Sequence, residues 1–223
     1  MATRIENRIL RLISVAILFI SCMSAAEAST RQVKSQSWAT SLSVNKGLPN
    51  LNRINSALYR SAQPTKQGLE FLSHQPRLYL LDQPIKTVLS LRTFHDDPDV
   101  MPSSSALKYE QIRFNTWHPE HEDILKFLRI VTTPEFQPVL VHCQHGSDRT
   151  GMMIAIYRIV VDGWSKEQAK QEMVQGNFGF HPIWQNLLNY IDNLDVEALK
   201  VELAKEGPWH QNGEIKSFNV KEK

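Results

Sequence analysis

A cysteine and an arginine separated by five residues form the stretch of this chain with the clearest chemistry. Cys143 follows the apolar run Val139 to Val141, and Arg149 is followed by Thr150 and a second apolar run. This pattern predicts a buried strand, a short loop and the first turn of a helix. The backbone N–H groups of such a loop converge with the positive end of the helix dipole, and together they make an anion site.

The residue types within this loop fit a phosphoryl group. A field that holds an anion also stabilises a thiolate, so Cys143 is the predicted nucleophile. Arg149 offers a planar fork of donors for a doubly ionised oxyanion, and Gly146 allows a turn that a side chain would obstruct. These features predict a covalent phosphocysteine intermediate. The alternatives are a buried cysteine at a strand end, or a metal site from His142, Cys143 and His145 that no further ligand cluster completes.

The elements predicted around this loop alternate between strands and helices. Strands are predicted at 51–60, 86–91, 108–114 and 139–141. Helices are predicted at 65–73, 119–131, 150–161, 165–176, 183–194 and 196–206, with a capping box at the start of the fourth. This alternation indicates an α/β fold with a mainly parallel central sheet of about four to five strands flanked by helices.

The N-terminal segment has the pattern of a signal peptide. Three arginines precede the apolar run 12–20, and Ala26-Glu27-Ala28 follows it, so cleavage is predicted after Ala28 and export to the periplasm or the medium. The apolar run is too short to span a bilayer as a helix. The alternatives are an uncleaved anchor helix and a lipid anchor on Cys22, which ends a weak lipobox.

The rest of the 223 residues divides into three predicted segments. A loosely ordered lead-in is predicted at 29–50, a single domain at 51–206 and a polar tail at 207–223. The formal net charge is +2, with neither a basic tract nor an acidic tail, which excludes a nucleic-acid partner. Removal of 1–28 leaves Cys143 as the sole cysteine, so the mature chain forms no intramolecular disulfide.

Residues His142 to Gly151 resemble the H-C-x5-R-[ST] signature of cysteine-dependent protein tyrosine phosphatases in the compact dual-specificity group. Leu58 to Pro64 is similar to the Y-R-S-x-Q-P stretch of bacterial and plant members, and 155–173 is similar to the helix pair that follows the loop in exported bacterial members. With the signal peptide, the chain most closely resembles the periplasmic tyrosine phosphatases of Gram-negative bacteria. The resemblance implies a phosphorylated protein or peptide as substrate and no metal or organic cofactor.

The resemblance also assigns roles to residues of the loop. Cys143 is the implied nucleophile, and Arg149 the phosphate clamp. His142 is the implied support of the loop, and the Thr150 hydroxyl assists the thiolate as leaving group in the second step. The implied phosphate-binding groups are the backbone amides of Gln144, His145, Gly146, Ser147, Asp148 and Arg149.

The general acid is the one part of the family's mechanism for which this chain has no obvious match. The family uses an acidic residue, usually Asp, on the loop after the strand that precedes the signature strand, and that loop is 115–122 here. The usual position falls near Trp117 and His118, where there is no carboxylate. Glu120 is the nearest candidate for the acid, with His118, Glu122 and Asp123 as alternatives. Glu120 is equally a candidate for an ordinary first-turn residue that favours the helix dipole.

The loop interior bears on the substrate class and on competing functions. It contains no lysine, and Asp148 is predicted to repel additional phosphates, which favours a phosphotyrosine-type monoester over a polyanionic inositide.

The displaced acid leaves open a pseudophosphatase that binds phosphoproteins without turnover. Arsenate reduction or sulfur transfer is a third reading, which a sole mature cysteine opposes because such cycles use a second thiol.

Overall fold

The structure is a computed structural model, and it describes residues 37–43, 46–74, 83–94 and 106–205. Contacts divide the chain into one unit of residues 1–37 and another of residues 38–223, and the elements below belong to the second unit. The predicted signal peptide, the Cys22 anchor and the tail at 207–223 lie outside the described residues. Within the described ranges, no helix is long and apolar enough to cross a membrane.

Six short strands form one sheet in the described part of the chain. They are β1 (Thr40–Ser41), β2 (Asn52–Arg53), β3 (Leu58–Ser61), β4 (Thr87–Ser90), β5 (Lys108–Gln111) and β6 (Val139–His142). Their spatial order is β1-β2-β3-β6-β4-β5, with antiparallel pairing up to β3 and parallel pairing among the last four. Every residue of β3, β4 and β6 is buried, as expected of parallel strands covered on both faces. The predicted mainly parallel sheet is confirmed.

The sheet extends further towards the N-terminus than the sequence predicts. β1 lies inside the segment 29–50, for which loose order is predicted. It is held by pairing with β2, by a hydrogen bond from Leu42 N to Leu51 O of 2.9 Å, and by one from Ala39 N to Glu172 Oε1 of 2.6 Å. Leu48 is also buried. Part of this segment is therefore ordered because its backbone groups find partners far along the chain, which no local periodicity reveals.

Six α-helices accompany the sheet in the described ranges. They are α1 (Lys66–His74), α2 (His121–Thr132), α3 (Asp148–Val160), α4 (Lys166–Gln175), α5 (Gln185–Asn193) and α6 (Val196–Lys205), with a 3-10 turn at Pro182–Trp184. The predicted capping box of α4 is confirmed, since Ser165 and Gln168 exchange both hydrogen bonds. The predicted start of α2 at Pro119 is wrong, because Glu120 has extended backbone angles and serves as the N-cap.

Alternating side chains of β6 reach two apolar clusters on opposite faces of the sheet. Val139 and Val141 belong to the larger cluster, which includes buried residues of α2, α3, α5 and α6. Leu140 belongs to a smaller cluster with Leu69 and Leu72 of α1. α3 is buried on almost every side, as its apolar sequence predicts. Because β6 is buried between two layers, Cys143, which follows it, lies at a firmly packed edge of the sheet.

Candidate active site

Cys143 lies at the carboxyl edge of the parallel strands. It directly follows β6, whose last residue pairs with Ser61 of β3 on one side and Ser90 of β4 on the other. Ligand sites of parallel α/β sheets form at this edge. The thiol is free and the residue is only 2% exposed. After Cys143 the chain passes through a four-residue loop into α3, which is the predicted order of strand, loop and helix.

The loop that follows Cys143 and leads into α3, which we call the catalytic loop, presents a run of unused backbone donors. Among the described residues, the backbone N–H groups of 144–149 have no hydrogen-bond acceptor. The loop makes its turn at Gly146, whose φ is +71°, and a Cβ there would lie 2.5 Å from Ser61 O, so only glycine fits. Successive free N–H groups leading into a helix N-terminus suit the oxygens of a phosphoryl group.

Three side chains close to Cys143 in the sequence carry predicted roles. The guanidinium of Arg149 is partly exposed and rests against the end of β4, where Nη1 donates to Leu91 O at 3.2 Å. His142 is buried, and its Nδ1 lies 3.4 Å from Cys143 O. Thr150 Oγ1 is fully buried without a hydrogen-bond partner in the described ranges. An unsatisfied buried hydroxyl costs about 1–3 kcal/mol, which points to a functional reason for keeping it.

A buried arginine under the loop has no role in the sequence-based assignment. Arg60 of β3 donates from Nη2 to Gly146 O at 2.5 Å, and its guanidinium carbon lies 3.7 Å from the ring centroid of Phe178. Burial lowers the pKa of Arg60 to about 10, while the charges of Glu172 and Cys143 act in the opposite direction. The signal available in the sequence was an arginine inside the otherwise apolar run that precedes Ser61.

The segment 178–181 supports the loop from another side. Ser147 Oγ donates to Phe178 O at 2.7 Å. Asn50 Nδ2 bridges His145 O at 3.1 Å and Phe178 O at 3.0 Å. Asp148 accepts a hydrogen bond from the backbone N of His181 at 2.8 Å, and its other oxygen lies 2.9 Å from His181 Nδ1. These bonds fix the loop through residues that are remote in the sequence.

The contacts of Asp148 bear on one prediction about the substrate. Its side chain is nearly buried and both of its oxygens are engaged by His181. These bonds hold the carboxylate in place but do not remove its negative charge, so the expected repulsion of additional phosphates stays a prediction. The absence of lysine from the loop remains as an argument on substrate class.

The candidate acids differ in their surroundings. Glu120 is exposed, and as the N-cap of α2 it makes no side-chain capping hydrogen bond. His118 and Glu122 are also exposed. Asp123 is half-buried, and burial raises its pKa to about 6, with Glu120 adding to this shift and Lys126 opposing it. The charge of Asp123 also contributes, after burial, to a raised pKa of Tyr190, which places Asp123 towards α5.

The loop that carries Glu120 is anchored to the start of α5. Asn186 Nδ2 donates to Thr116 O at 2.7 Å and to Trp117 O at 3.3 Å. The Trp117 ring, 71% exposed, meets Trp184 edge-on with 4.6 Å between centroids. Trp184 and Asn186 lie shortly after His181, which contacts Asp148 at the start of α3. The loop that carries Glu120 is therefore linked to the loop that follows Cys143.

The alternative metal site receives no support from the arrangement. In the part of the chain that the structure describes, no group of three or more His, Cys, Asp or Glu side chains is placed to hold a metal ion.

Comparison with known proteins is consistent with this geometry. A family model described as "DSP-PTPase phosphatase fused to NAD+ Kinase" matches residues 38–188. The dual specificity protein phosphatase TpbA of Pseudomonas aeruginosa is 32% identical over 198 residues, covering 87% of this chain and 85% of TpbA. Inositol diphosphatase DSP5 of Arabidopsis thaliana is 27% identical over 161 residues, covering 68% of this chain and 72% of DSP5.

Solved structures show the same fold. The crystal structure of P. aeruginosa TpbA matches with a TM-score of 0.63 at 32% identity, covering 77% of this chain and 99% of that chain. A TpbA variant in complex with pTyr matches with a TM-score of 0.63 at 31% identity, covering 78% of this chain and 99% of that chain. The family match spans both the catalytic loop and the strand that supports it, and the chain therefore belongs to the DSP-PTPase phosphatases, the dual-specificity group of the protein tyrosine phosphatases.

Proposed function

We propose that this phosphatase is exported and hydrolyses phosphotyrosine in proteins through a phosphocysteine intermediate, with phosphoserine and phosphothreonine as further substrates. One observation carries the proposal. A buried free cysteine follows a central parallel strand and begins a loop whose backbone donors have no acceptor among the described residues, with Arg149 at its end. Such a loop stabilises the charge of a phosphoryl group in transfer without further reorganisation.

The proposed reaction has two steps. In the first, Cys143 Sγ attacks phosphorus, the S–P bond forms, and the P–O bond to the leaving group breaks as Glu120 donates a proton to the leaving oxygen. In the second, Glu120 takes a proton from water, the water oxygen attacks phosphorus, and the S–P bond breaks to release the thiolate and inorganic phosphate. Arg149 and the backbone amides hold the phosphoryl oxygens in both steps. The buried Thr150 hydroxyl, which has no described partner, suits the stabilisation of the departing thiolate.

Two observations support the proposed substrate class. The loop carries no lysine, so it lacks the extra cations that a polyphosphate would require. The similar protein TpbA is called a dual specificity protein phosphatase and has been solved with pTyr. A kinetic preference for inositol polyphosphates over phosphotyrosine peptides would contradict this part of the proposal.

The proposed export rests on the N-terminal sequence alone. The arginines, the short apolar run and Ala26-Glu27-Ala28 have the order of a cleavable signal. N-terminal sequencing of the protein from the periplasmic fraction is expected to begin at Ser29. A labelled lipid on Cys22, or retention of residues 1–28, would favour one of the anchored alternatives.

The test of function compares the wild-type chain with Cys143→Ser in hydrolysis of an aryl phosphate. We expect wild-type turnover, inhibition by vanadate, and loss of at least about 10³-fold in kcat for the variant, because serine is a far weaker nucleophile at neutral pH. Acid quenching of the wild type during turnover is expected to trap phosphate on the peptide that contains Cys143. Absence of turnover in the reduced wild type, together with tight binding of a phosphopeptide, would instead indicate a pseudophosphatase.

A further inference from the structure

Arg60 occupies an uncommon position for an arginine. It lies in the buried strand β3 and is 1% exposed, which is rare for a charged residue without a carboxylate in hydrogen-bond contact. Its guanidinium donates to the Gly146 carbonyl and stacks over the Phe178 ring, and its Nε has no hydrogen-bond partner in the described ranges. Burial of an unpaired cation is costly, so a compensating anion is expected nearby.

Neighbouring charges narrow the choice of that anion. Glu172 is buried, but it accepts two hydrogen bonds from Arg158 and a third from Ala39 N, so its charge is shared with another buried cation. Cys143 is the other negative group whose charge favours the protonated form of Arg60.

The bond to Gly146 also orients the loop. In a trans peptide unit the C=O of one residue and the N–H of the next point in opposite directions. A Gly146 carbonyl directed to the buried Arg60 therefore turns the Ser147 N–H away from Arg60. That N–H has no acceptor among the described residues, as expected of a group reserved for a phosphoryl oxygen.

We propose that Arg60 is a positioning residue of the catalytic loop, which fixes the Gly146–Ser147 peptide unit so that the N–H groups of the loop face the phosphate site beside Cys143. The proposal rests on the proposed phosphocysteine function but is tested without turnover. Inward-facing N–H groups of such a loop stabilise an anion at its centre, so a displaced Gly146–Ser147 peptide unit weakens oxyanion binding and slows the reaction of Cys143 Sγ with electrophiles.

The measurement is the rate of iodoacetamide alkylation of Cys143 in the full-length chain, followed by mass spectrometry of the tryptic peptide 130–149. In Arg60→Met we expect the rate to fall by about tenfold or more, because the loop N–H groups no longer face Cys143. Arg60→Lys retains the charge and is expected to stay within about threefold of wild type, but to bind vanadate at least about fivefold more weakly, because it lacks the planar fork.

Arg158→Met is the matched control, since Arg158 is also a buried arginine near Glu172. It is expected to lower thermal stability while changing alkylation by less than about threefold, because Arg158 does not contact the loop. Equal alkylation loss in Arg60→Met and Arg158→Met, or a wild-type rate in folded Arg60→Met, would overturn the proposal. If Arg60→Met does not fold, vanadate affinity decides: wild-type affinity in Arg60→Lys contradicts the positioning role. An alkylation effect in a protein without phosphatase turnover would uphold Arg60 and reject the proposed function.

Discussion

At the scale of single residues, the site combines polar groups that hydrogen-bond to the protein with polar groups that do not. Arg60 and Asp148 are committed to protein partners, while Thr150 Oγ1 is buried without one among the described residues. Glu120 is exposed and makes no side-chain capping bond. Its role as the general acid stays a prediction.

We therefore expect Glu120→Gln to lower kcat for phenyl phosphate by about 10²-fold or more, the usual contribution of a general acid. The loss should be much smaller for an aryl phosphate with an acidic phenol, because a good leaving group needs less protonation. Glu122→Gln tests the alternative acid two residues along, which is also exposed, and should retain wild-type kinetics. An equal loss in both variants, or none for Glu120→Gln with phenyl phosphate, would remove Glu120 from the mechanism.

At the scale of elements, the first turn of α2 gathers three carboxylates in four residues. Glu122 and Asp123 lie in that turn and Glu120 caps it. Burial, reinforced by Glu120, raises the pKa of Asp123 to about 6, above its ordinary value of 3.8. The folded protein thus holds an extra proton between about pH 4 and 6, and stability should fall as pH rises through this window and stay lower above it.

Asp123→Asn should remove this pH dependence because the amide does not ionise. At pH 7 we expect a gain of about 1 kcal/mol in the free energy of unfolding, after discounting the shift because the carboxylate is half-exposed. A gain of this size raises Tm by about 2–4 °C. Below pH 4 the variant and the wild type should melt together. Thermal denaturation at pH 4 and pH 7 provides the test, and an equal Tm difference at both values would contradict it.

At the scale of the whole molecule, one buried ion network connects the N-terminal edge strand to the helices behind the catalytic loop. Glu172 of α4 accepts from Arg158 Nε and Nη2 of α3, both at 2.9 Å, and from Ala39 N beside β1 at 2.6 Å. Arg158 also donates to Asp162 and lies over the Trp164 ring. Because these elements are remote in sequence, the network acts as a tertiary connection and not as a local cap.

Glu172→Gln should therefore be strongly destabilising, since it removes the more deeply buried of the two carboxylates that pair with Arg158. We expect a loss of about 3 kcal/mol or more in the free energy of unfolding, measured by urea denaturation. Glu167→Gln on the exposed face of the same helix is the control and should change stability by less than about 0.5 kcal/mol. A Glu172→Gln loss as small as that of the control would show that the buried pair contributes little.

The sequence by itself determined the parts of this protein that depend on neighbouring residues. The seven residues from Cys143 to Arg149 contain the nucleophile, the clamp and the turn at Gly146. The apolar runs on either side predict the strand and the helix that hold them. The mainly parallel sheet also followed, because alternation of strands and helices is a local pattern. The start of α2 was misplaced by two residues, since proline at 119 is equally compatible with the extended backbone before a cap.

Only the tertiary structure decided what supports the loop. The bond from Arg60 to Gly146 spans 86 residues, that from Asn50 to Phe178 spans 128, and that from His181 to Asp148 spans 33. Pairing of β1 and the commitment of Asp148 to His181 depend equally on such contacts. Hydrogen bonds and buried charges act through space, so residues with no periodicity or spacing to mark them acquire their roles only when the sheet brings them together.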